Sequence, residues 1–334
     1  MKVNKIFVEE NLQGHESVSR FCESFPKAEL HIIDQYENYF QKVKKPYLQK
    51  HNNNSIFLAE KRGNLVKAAP DAYGLSGEPH YYYIHAYNCM YECQYCYLQG
   101  YFQSPDLVFF LNHEDIVESI RRTYSEHPEG RMWFHAGEFS DSLALSHLSK
   151  ELPIYFRAFQ ELPRAYLELR TKSANTKELE KLDPLENIIV SFSFSSHTAA
   201  KKYDLKTASI SARIQAMYRL YTKGYRLALH LDPIIDSPNL FSDYQQALKE
   251  LFEKIPANYF SYISLGVVRF TKDVFEQTAR NYPESDMLAA NFVKSFDNKV
   301  RYSKPLRDKI LYNMRDMILR MGITKEKIYL CMED

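Results

Sequence analysis

Glycine is scarce in this chain, 10 in 334 residues, and neither G-x-x-x-x-G-K-[ST] nor G-x-G-x-x-G occurs. That excludes the glycine-rich phosphate cradles of P-loop and dinucleotide-binding folds. Cysteine is scarce as well: five residues, too few and too unevenly placed for a disulfide framework. No run approaches the roughly 20 apolar residues of a membrane helix. The first residues, Met1 to Glu16, lack the apolar stretch and small-residue cleavage site of a secretory signal. A soluble, cytoplasmic protein without a membrane partner is expected. Charge of one sign is lacking too: 43 Lys and Arg face 42 Asp and Glu, so total charge does not advertise a polyanionic partner. What is present is a chain that is 45% hydrophobic and 25% charged, enough for a real core, with 26 tyrosines.

The pattern predicts a small α/β unit first. Strands are expected over Lys5–Glu10, Glu29–Ile33 and Ile56–Glu60, with a helix over Ser17–Ser24 and a polar break at His51–Ser55. From His80 the order becomes strand, loop, helix, repeated. Predicted strands are Tyr81–His85, Met132–His135, Tyr166–Arg170, Asn187–Ser193, Tyr225–Leu231 and Tyr259–Val268. Helices are predicted over Glu114–Tyr124, Leu145–Gln160, Asn175–Leu182 with Asn175 as cap, Ser209–Thr222 and Ser242–Lys254. A helix, Pro305–Met321, and a last strand, Lys327–Leu330, complete the chain. About six β/α units imply an α/β fold with a parallel sheet, curved into a partial (β/α)6 TIM-like barrel. The expected domains are 1–75, small and α/β; 76–290, the barrel; and 291–334, a C-terminal extension. Chemistry gathers at the C-terminal ends of such strands. Cys89, His135 to Asp141, Thr171-Lys172, Ser193 and Asp232-Pro233 all follow or end a predicted strand.

Three of the five cysteines crowd together in Cys89-Met-Tyr-Glu-Cys93-Gln-Tyr-Cys96-Tyr-Leu-Gln99. A loop with this spacing offers three thiolates to a cubane [4Fe-4S] cluster and leaves one iron open. An open iron can chelate the amino and carboxylate groups of S-adenosylmethionine. The competing reading is structural zinc, with a fourth ligand from Cys22, Cys331 or His85; zinc sites usually use two separated pairs, which this spacing fits poorly.

The Cys-x3-Cys-x2-Cys loop is the signature of radical S-adenosylmethionine enzymes, and its continuation Tyr95-Cys96-Tyr97-Leu98-Gln99 resembles the spore photoproduct lyase family. Further matching pieces are Ile6-Phe7-Val8-Glu9, Phe139-Ser140-Asp141, Thr171-Lys172, Phe192-Ser193, Arg213-Ile214, Asp232-Pro233-Ile234, Arg269-Phe270-Thr271-Lys272 and Asn281-Tyr282-Pro283. The resemblance implies a lyase that cleaves S-adenosylmethionine to a 5′-deoxyadenosyl radical. That radical takes a hydrogen atom from a thymine dimer in DNA, and the dimer fragments. It implies Cys89, Cys93 and Cys96 as cluster ligands. Tyr95, Tyr97, Gly137, Glu138, Ser140, Asp141, Lys172, Ser193 and Asp232 then fall at cofactor-binding positions, and flavodoxin or ferredoxin is implied as electron donor. In the family a cysteine three residues before the Asp of the Ser-Asp pair returns the hydrogen atom, with tyrosines in the relay. Here that position is Glu138, and a carboxylate cannot donate a hydrogen atom. Either Tyr95, Tyr97 or Cys331 closes the cycle, or the substrate is another one, such as modified RNA, a nucleotide or a peptide.

Charge is unevenly distributed. Lys42–Lys67 holds seven Lys or Arg and one Glu, and Lys294–Arg320 holds eight against three Asp. Phosphate neutralisation needs cations, and base stacking can use aromatic residues. Arg269, Lys272, Arg301, Tyr302, Lys304 and Arg307 are therefore the expected nucleic-acid contacts. A zinc-stabilised nucleic-acid-binding protein is the non-enzymatic alternative.

Overall fold

Parallel strands covered on both faces need apolar side chains at nearly every position. Met132–Ala136, Ile188–Ser193 and Ile263–Val267 are buried throughout. The computed structural model describes residues 2–40, 43, 54–70, 77–295 and 298–332. Its larger sheet has eight strands in the order β4 (Val66–Ala68), β5 (His80–Tyr83), β9 (Met132–Ala136), β10 (Ala165–Thr171), β11 (Ile188–Ser193), β13 (Arg226–Ile234), β14 (Ile263–Val267) and β18 (Ile328–Leu330). From β5 to β18 every neighbouring pair is parallel, while β4 runs antiparallel at the edge. The six predicted strands are all present and adjacent, as a partial barrel requires.

Alternate residues of these strands face opposite ways. One set, including Phe134, Leu167, Leu169, Val190, Phe192, Leu229 and Leu265, packs under the helices as the main core. The helix His113–Glu126 shows why: it buries Ile116, Val117 and Ile120, one helical stripe. Ser209 caps the helix Ile210–Thr222 by accepting the Ala212 N–H. The other set fills the barrel. Trp133, Ile189, Ala228 and Tyr262 form its apolar floor.

The small sheet has the order β2 (Glu29–Ile33), β1 (Val3–Glu9), β3 (Asn54–Ala59), β8 (Leu107–Phe110), β6 (Ala86–Tyr87). It draws β6 and β8 from the chain on either side of the cysteine loop, so residues 1–75 supply only part of it. The boundary expected at 75 falls within 71–76, outside the described residues, as do Lys42, Lys44, Lys45 and Lys50 of the first basic run and residues 51–53 of the polar break. A three-stranded antiparallel sheet, β15 (Arg269–Thr271), β17 (Lys299–Tyr302) and β16 (Phe292–Lys294), completes the chain. Among the described residues no helix is long and apolar enough to cross a membrane.

Three local expectations are corrected. Asn175 caps no helix: its amide donates to the Leu143 carbonyl at 3.0 Å, and only a turn, Leu179–Lys181, forms downstream. The Ser173 N–H is taken by Thr171 Oγ1 and the Asn175 N–H by Ser173 Oγ, which diverts the backbone from a helical ladder. The helix expected over Leu145–Gln160 is interrupted at Lys150, which has φ +59°. Helices His197–Tyr203 and Lys272–Asn281 were not expected. Cys331 lies one residue beyond the last strand, although its N–H still donates to the Leu265 carbonyl at 2.7 Å.

Asn187 fastens the outer layer to the sheet. Its Nδ2 lies 2.8 Å from the Phe159 carbonyl, 3.1 Å from that of Leu162 and 2.9 Å from that of Ala165. Asn187→Ala removes these buried bonds, although the Phe159 and Leu162 carbonyls keep the N–H groups of Leu162 and Ala165, and is expected to cost about 1–3 kcal/mol in urea unfolding, with an unchanged m-value.

Candidate active site

The cysteine loop packs Met90, Tyr95 and Leu98 against the hydrophobic clusters around it, and hydrogen bonds fix its register. Its middle, β7 (Glu92–Cys93), pairs antiparallel with β12 (Asp204–Leu205), with Cys93 opposite Asp204. The Cys96 N–H donates to the Cys93 carbonyl at 3.0 Å, and Gln94 N–H to the Tyr203 carbonyl at 2.9 Å. The Gln94 side-chain oxygen accepts Ser285 Oγ at 2.6 Å, and Gln99 accepts Asn281 Nδ2 at 3.0 Å. At Gly100 a Cβ would stand 2.8 Å from Val274 Cγ2, so the unexpected helix Lys272–Asn281 packs on the loop at a residue with no side chain.

Asp204 joins this loop to the barrel. Tyr95 Oη donates to one carboxylate oxygen, and Arg213 Nη2 donates to the other at 2.9 Å. Arg213 is wholly buried and also donates to the carbonyls of Ser193 at 2.9 Å and Ala208 at 3.0 Å, and to Thr207 Oγ1 at 2.6 Å. Burial, then Asp204, pushes the Tyr95 phenol well above its ordinary range. Lys172 Nζ sits 5.5 Å from the centre of the Tyr95 ring. Burial pulls the Lys172 ammonium down, but Cys93, Asp204 and Cys96 outweigh it and hold it above its ordinary value. Burial raises the Cys93 thiol; Lys172 opposes this, while Asp204, Cys96 and Cys89 add to it. Cys93 therefore lies within electrostatic reach of the other two sulfurs, and Lys172 within reach of Cys93 and Cys96.

The loop after β9 closes the other side. Gly137 has φ +87°, and a Cβ there would lie 2.5 Å from Ser142 Oγ; only glycine fits. Asp141 is saturated: its carboxylate accepts the N–H groups of Leu143 at 3.0 Å, Ala144 at 2.9 Å and Lys172 at 2.7 Å, and Thr171 Oγ1 at 2.6 Å. It ties this loop to the end of β10, next to Lys172. The Ser140 N–H turns back to the Gly137 carbonyl at 3.3 Å. Tyr97 Oη donates to the Glu138 backbone carbonyl, which puts one relay candidate against the position where the family has its cysteine.

Below this mouth lies a polar layer that sequence reasoning did not assemble. Glu168 Oε1 accepts Ser191 Oγ at 2.6 Å, His230 Nε2 at 2.6 Å and Tyr262 Oη at 2.8 Å; Oε2 accepts His135 Nδ1 and Arg170 Nη2, the latter at 3.1 Å. A carboxylate only accepts, so both imidazoles present N–H to it. His135 Nε2 is also 2.9 Å from His80 Nδ1. Burial alone would raise the Glu168 carboxyl, but Arg170, His230 and His135 hold it well below its ordinary range. Burial keeps His230 below its own. The available signal was period two: polar residues at every second position of otherwise apolar strands, as in Glu168, Arg170 and Lys172 or His230 and Asp232.

Asp232 and Arg269, expected at cofactor and nucleic acid respectively, pair with each other. Two bonds of 2.9 Å join them, above Gly266, where a Cβ would stand 2.8 Å from Asp232. Arg269 Nη2 also lies 3.5 Å from Cys331 Sγ. Tyr302 is 0% exposed and accepts the Asp236 N–H at 3.1 Å, so it cannot stack on a base; this corrects the expectation. Arg301 and Arg307 are buried as well, donating to the carbonyls of Met332 at 3.3 Å and Tyr302 at 2.8 Å. Their polar ends serve the short β15–β17–β16 sheet and the last helix. Lys272 and Lys304 do face solvent, 73% and 69% exposed, beside Glu276 and Asp308.

A parallel partial barrel with three thiols on the loop after its first strand defines the radical S-adenosylmethionine class of fold. The radical S-adenosylmethionine methyltransferase TsrM of Kitasatospora setae has the same fold at a TM-score of 0.50 and 7% identity, over 99% of this chain and 91% of that one. Residues 76–328 match the sequence model of spore photoproduct lyase, and the chain belongs to that family. The spore photoproduct lyase of Bacillus subtilis (strain 168) is 26% identical over 211 residues, 60% of each chain. That of Clostridium acetobutylicum is 21% identical over 223 residues, 66% of each. The sequence alignments thus span about three fifths to two thirds of these relatives' lengths. A solved spore photoproduct lyase variant with bound AdoMet and dinucleoside spore photoproduct superposes at a TM-score of 0.80 with 18% identity, covering 100% of this chain and 98% of that one.

The ionised Glu168 gives stability a definite pH dependence. Its contribution is complete above the ordinary carboxyl value of 4.5 and is lost as pH falls through its depressed folded value. Glu168→Gln is expected to cost about 3–5 kcal/mol at neutral pH. In urea titrations the gap between variant and parent should narrow towards about pH 3.

Proposed function

We propose that this protein is a radical S-adenosylmethionine lyase that reverses a thymine photoproduct in DNA. The observation that carries this reading is a spore photoproduct lyase family chain whose three clustered thiols are locked to the mouth of a partial barrel by Tyr95, Asp204 and Arg213. The donor set fits a cubane. Three thiolates share one loop, with Lys172 nearby to offset their charge. Among the described residues no three His, Cys, Asp or Glu side chains converge closely enough to hold one metal ion, as zinc would require, whereas cubane ligands each bind a different iron.

Cys89, Cys93 and Cys96 would hold the [4Fe-4S] cluster; Gly137, Glu138, Ser140, Lys172 and Ser193 would line the S-adenosylmethionine site beside it. When bound, the two cofactors supply a 5′-deoxyadenosyl radical that takes a hydrogen atom from the substrate. The chain's share is to bind, orient and exclude water. Asp141 fixes the backbone at Lys172, and Gly137 allows the tight turn that carries Glu138. Flavodoxin or ferredoxin is the class of electron donor this chemistry needs.

Glu138 leaves the return of the hydrogen atom to another residue. Cys331 is well supplied for it: burial, with Asp232 beside it, pushes its thiol up to about 11, so the sulfur keeps its hydrogen at neutral pH. Tyr95 is committed to Asp204, and Tyr97 stands next in line at the Glu138 carbonyl. Glu138 is also the one observation that favours a second reading, the same radical chemistry on modified RNA, a nucleotide or a peptide.

Anaerobic incubation with S-adenosylmethionine, a reductant and DNA carrying spore photoproduct tests the proposal. Thymine recovered in step with lesion loss is expected; intact S-adenosylmethionine cleavage with no dimer repaired overturns it. Metal analysis should give iron and sulfide with brown colour rather than zinc. Cys93→Ala should lose both the cluster and all S-adenosylmethionine cleavage while circular dichroism stays that of the parent. Cys331→Ala should slow product formation or yield adducts; unchanged products would shift the role to Tyr97.

A further inference from the structure

The inward-facing residues of the barrel form layers. Over the apolar floor of Trp133, Ile189, Ala228 and Tyr262 lies the Glu168 layer, and above it stand Arg170, Asp232 and Arg269. Glu168 holds Arg170 through three contacts: Nη2 at 3.1 Å from Oε2 and 3.3 Å from Oε1, and Nε at 3.3 Å from Oε1. Glu168 is in turn fixed by groups from three further strands or strand ends, Ser191, His230 and Tyr262, and by His135. Arg170 therefore has a rigid seat. Yet its side chain stays 32% exposed, while Glu168 beneath it is 1% exposed. Among the titratable groups it acts on are Asp232, His230, Tyr262, Tyr329 and Cys331. It shares an inward-facing row of β10 with Glu168, two residues before Lys172 at the mouth.

Charge decides what such a group can receive. Within this layer the carboxylates of Glu168 and Asp232 offset the guanidiniums of Arg170 and Arg269. A phosphate brought here would meet the two guanidiniums together with the two carboxylates, and so would find no net positive charge to offset the loss of its water. A neutral ring with carbonyl oxygens meets a rigid donor and no net repulsion. Guanidinium N–H groups presented to base carbonyls are among the strongest readers of a base edge.

We propose that Arg170, seated on Glu168, is a specificity-determining residue that donates hydrogen bonds to a ring carbonyl of the substrate pyrimidine inside the barrel. The inference rests on the functional reading above and deepens it by naming the substrate group recognised. A hydroxyl-lined, charge-balanced lumen takes the base, and the backbone phosphates stay outside.

The test uses reconstituted full-length protein and two substrates, the dinucleoside spore photoproduct and its phosphodiester-bridged counterpart. R170M should raise KM for both by about tenfold or more, the loss of one charge-assisted base contact, with KM for S-adenosylmethionine within about twofold of the parent. R170K, which keeps a donor without the fork, should fall between them. A KM for the dinucleoside unchanged in R170M overturns the inference, as does a rise confined to the phosphate-bearing substrate. If R170M does not accumulate as folded protein, R170K decides: parental KM for the dinucleoside overturns the assignment, and a severalfold rise supports it. A parent protein that repairs neither substrate removes the functional reading and this one with it; a parent that repairs both while R170M matches it removes this one alone.

Discussion

One buried ion pair decides where the thiols stand. Asp204 lies in a two-residue strand opposite Cys93, and its carboxylate is shared between Arg213 and Tyr95. Arg213 spends its other donors on the end of β11 and on the chain just after Asp204. A loop that packs on the hydrophobic clusters through Met90, Tyr95 and Leu98 is thereby also registered against the barrel. Removing either partner would leave a charge stranded in the interior, which is why such pairs fix geometry more than they add stability.

The barrel repeats this logic deeper down. A parallel sheet has no need of ionised groups on its inner face, and a chain that only had to fold would fill it with Val, Ile and Leu. Here alternate positions carry His135, Glu168, Ser191 and His230 instead, all buried and joined through one carboxylate. Such a network holds its members rigidly where it is satisfied; His230 Nδ1, buried, has no hydrogen-bond partner among the described residues. The arrangement makes the barrel interior polar, with Arg170 and the Asp232–Arg269 pair above it.

Much of this was legible in the sequence, for stated physical reasons. Continuous apolar runs gave the buried strands, and Ser209 marked the start of its helix. The cysteine spacing pointed to the cluster loop directly. The helix Lys272–Asn281 escaped because its buried stripe is Val274, Thr278 and Asn281, two of them polar, so no hydrophobic period shows. Asn175 misled because its side chain satisfies a neighbouring loop instead of a helix end. The basic and aromatic mixture around Arg301 and Tyr302 looked like a surface, yet both side chains are buried in a small hairpin sheet. Residue type alone does not say which side of a short strand meets water. The Asp204–Tyr95 contact joins positions 109 apart in the chain, and no local pattern encodes it.

The small sheet deserves a last consideration. Its strands β6 and β8 bracket the cysteine loop, and β8 pairs with β3 from the N-terminal segment. The loop is thus tied at both ends to the small sheet and, through Asp204, to the barrel. The N-terminal segment is no detachable cassette: cutting it away would bare the edge of β8 and slacken one anchorage of the very span that carries the sulfurs.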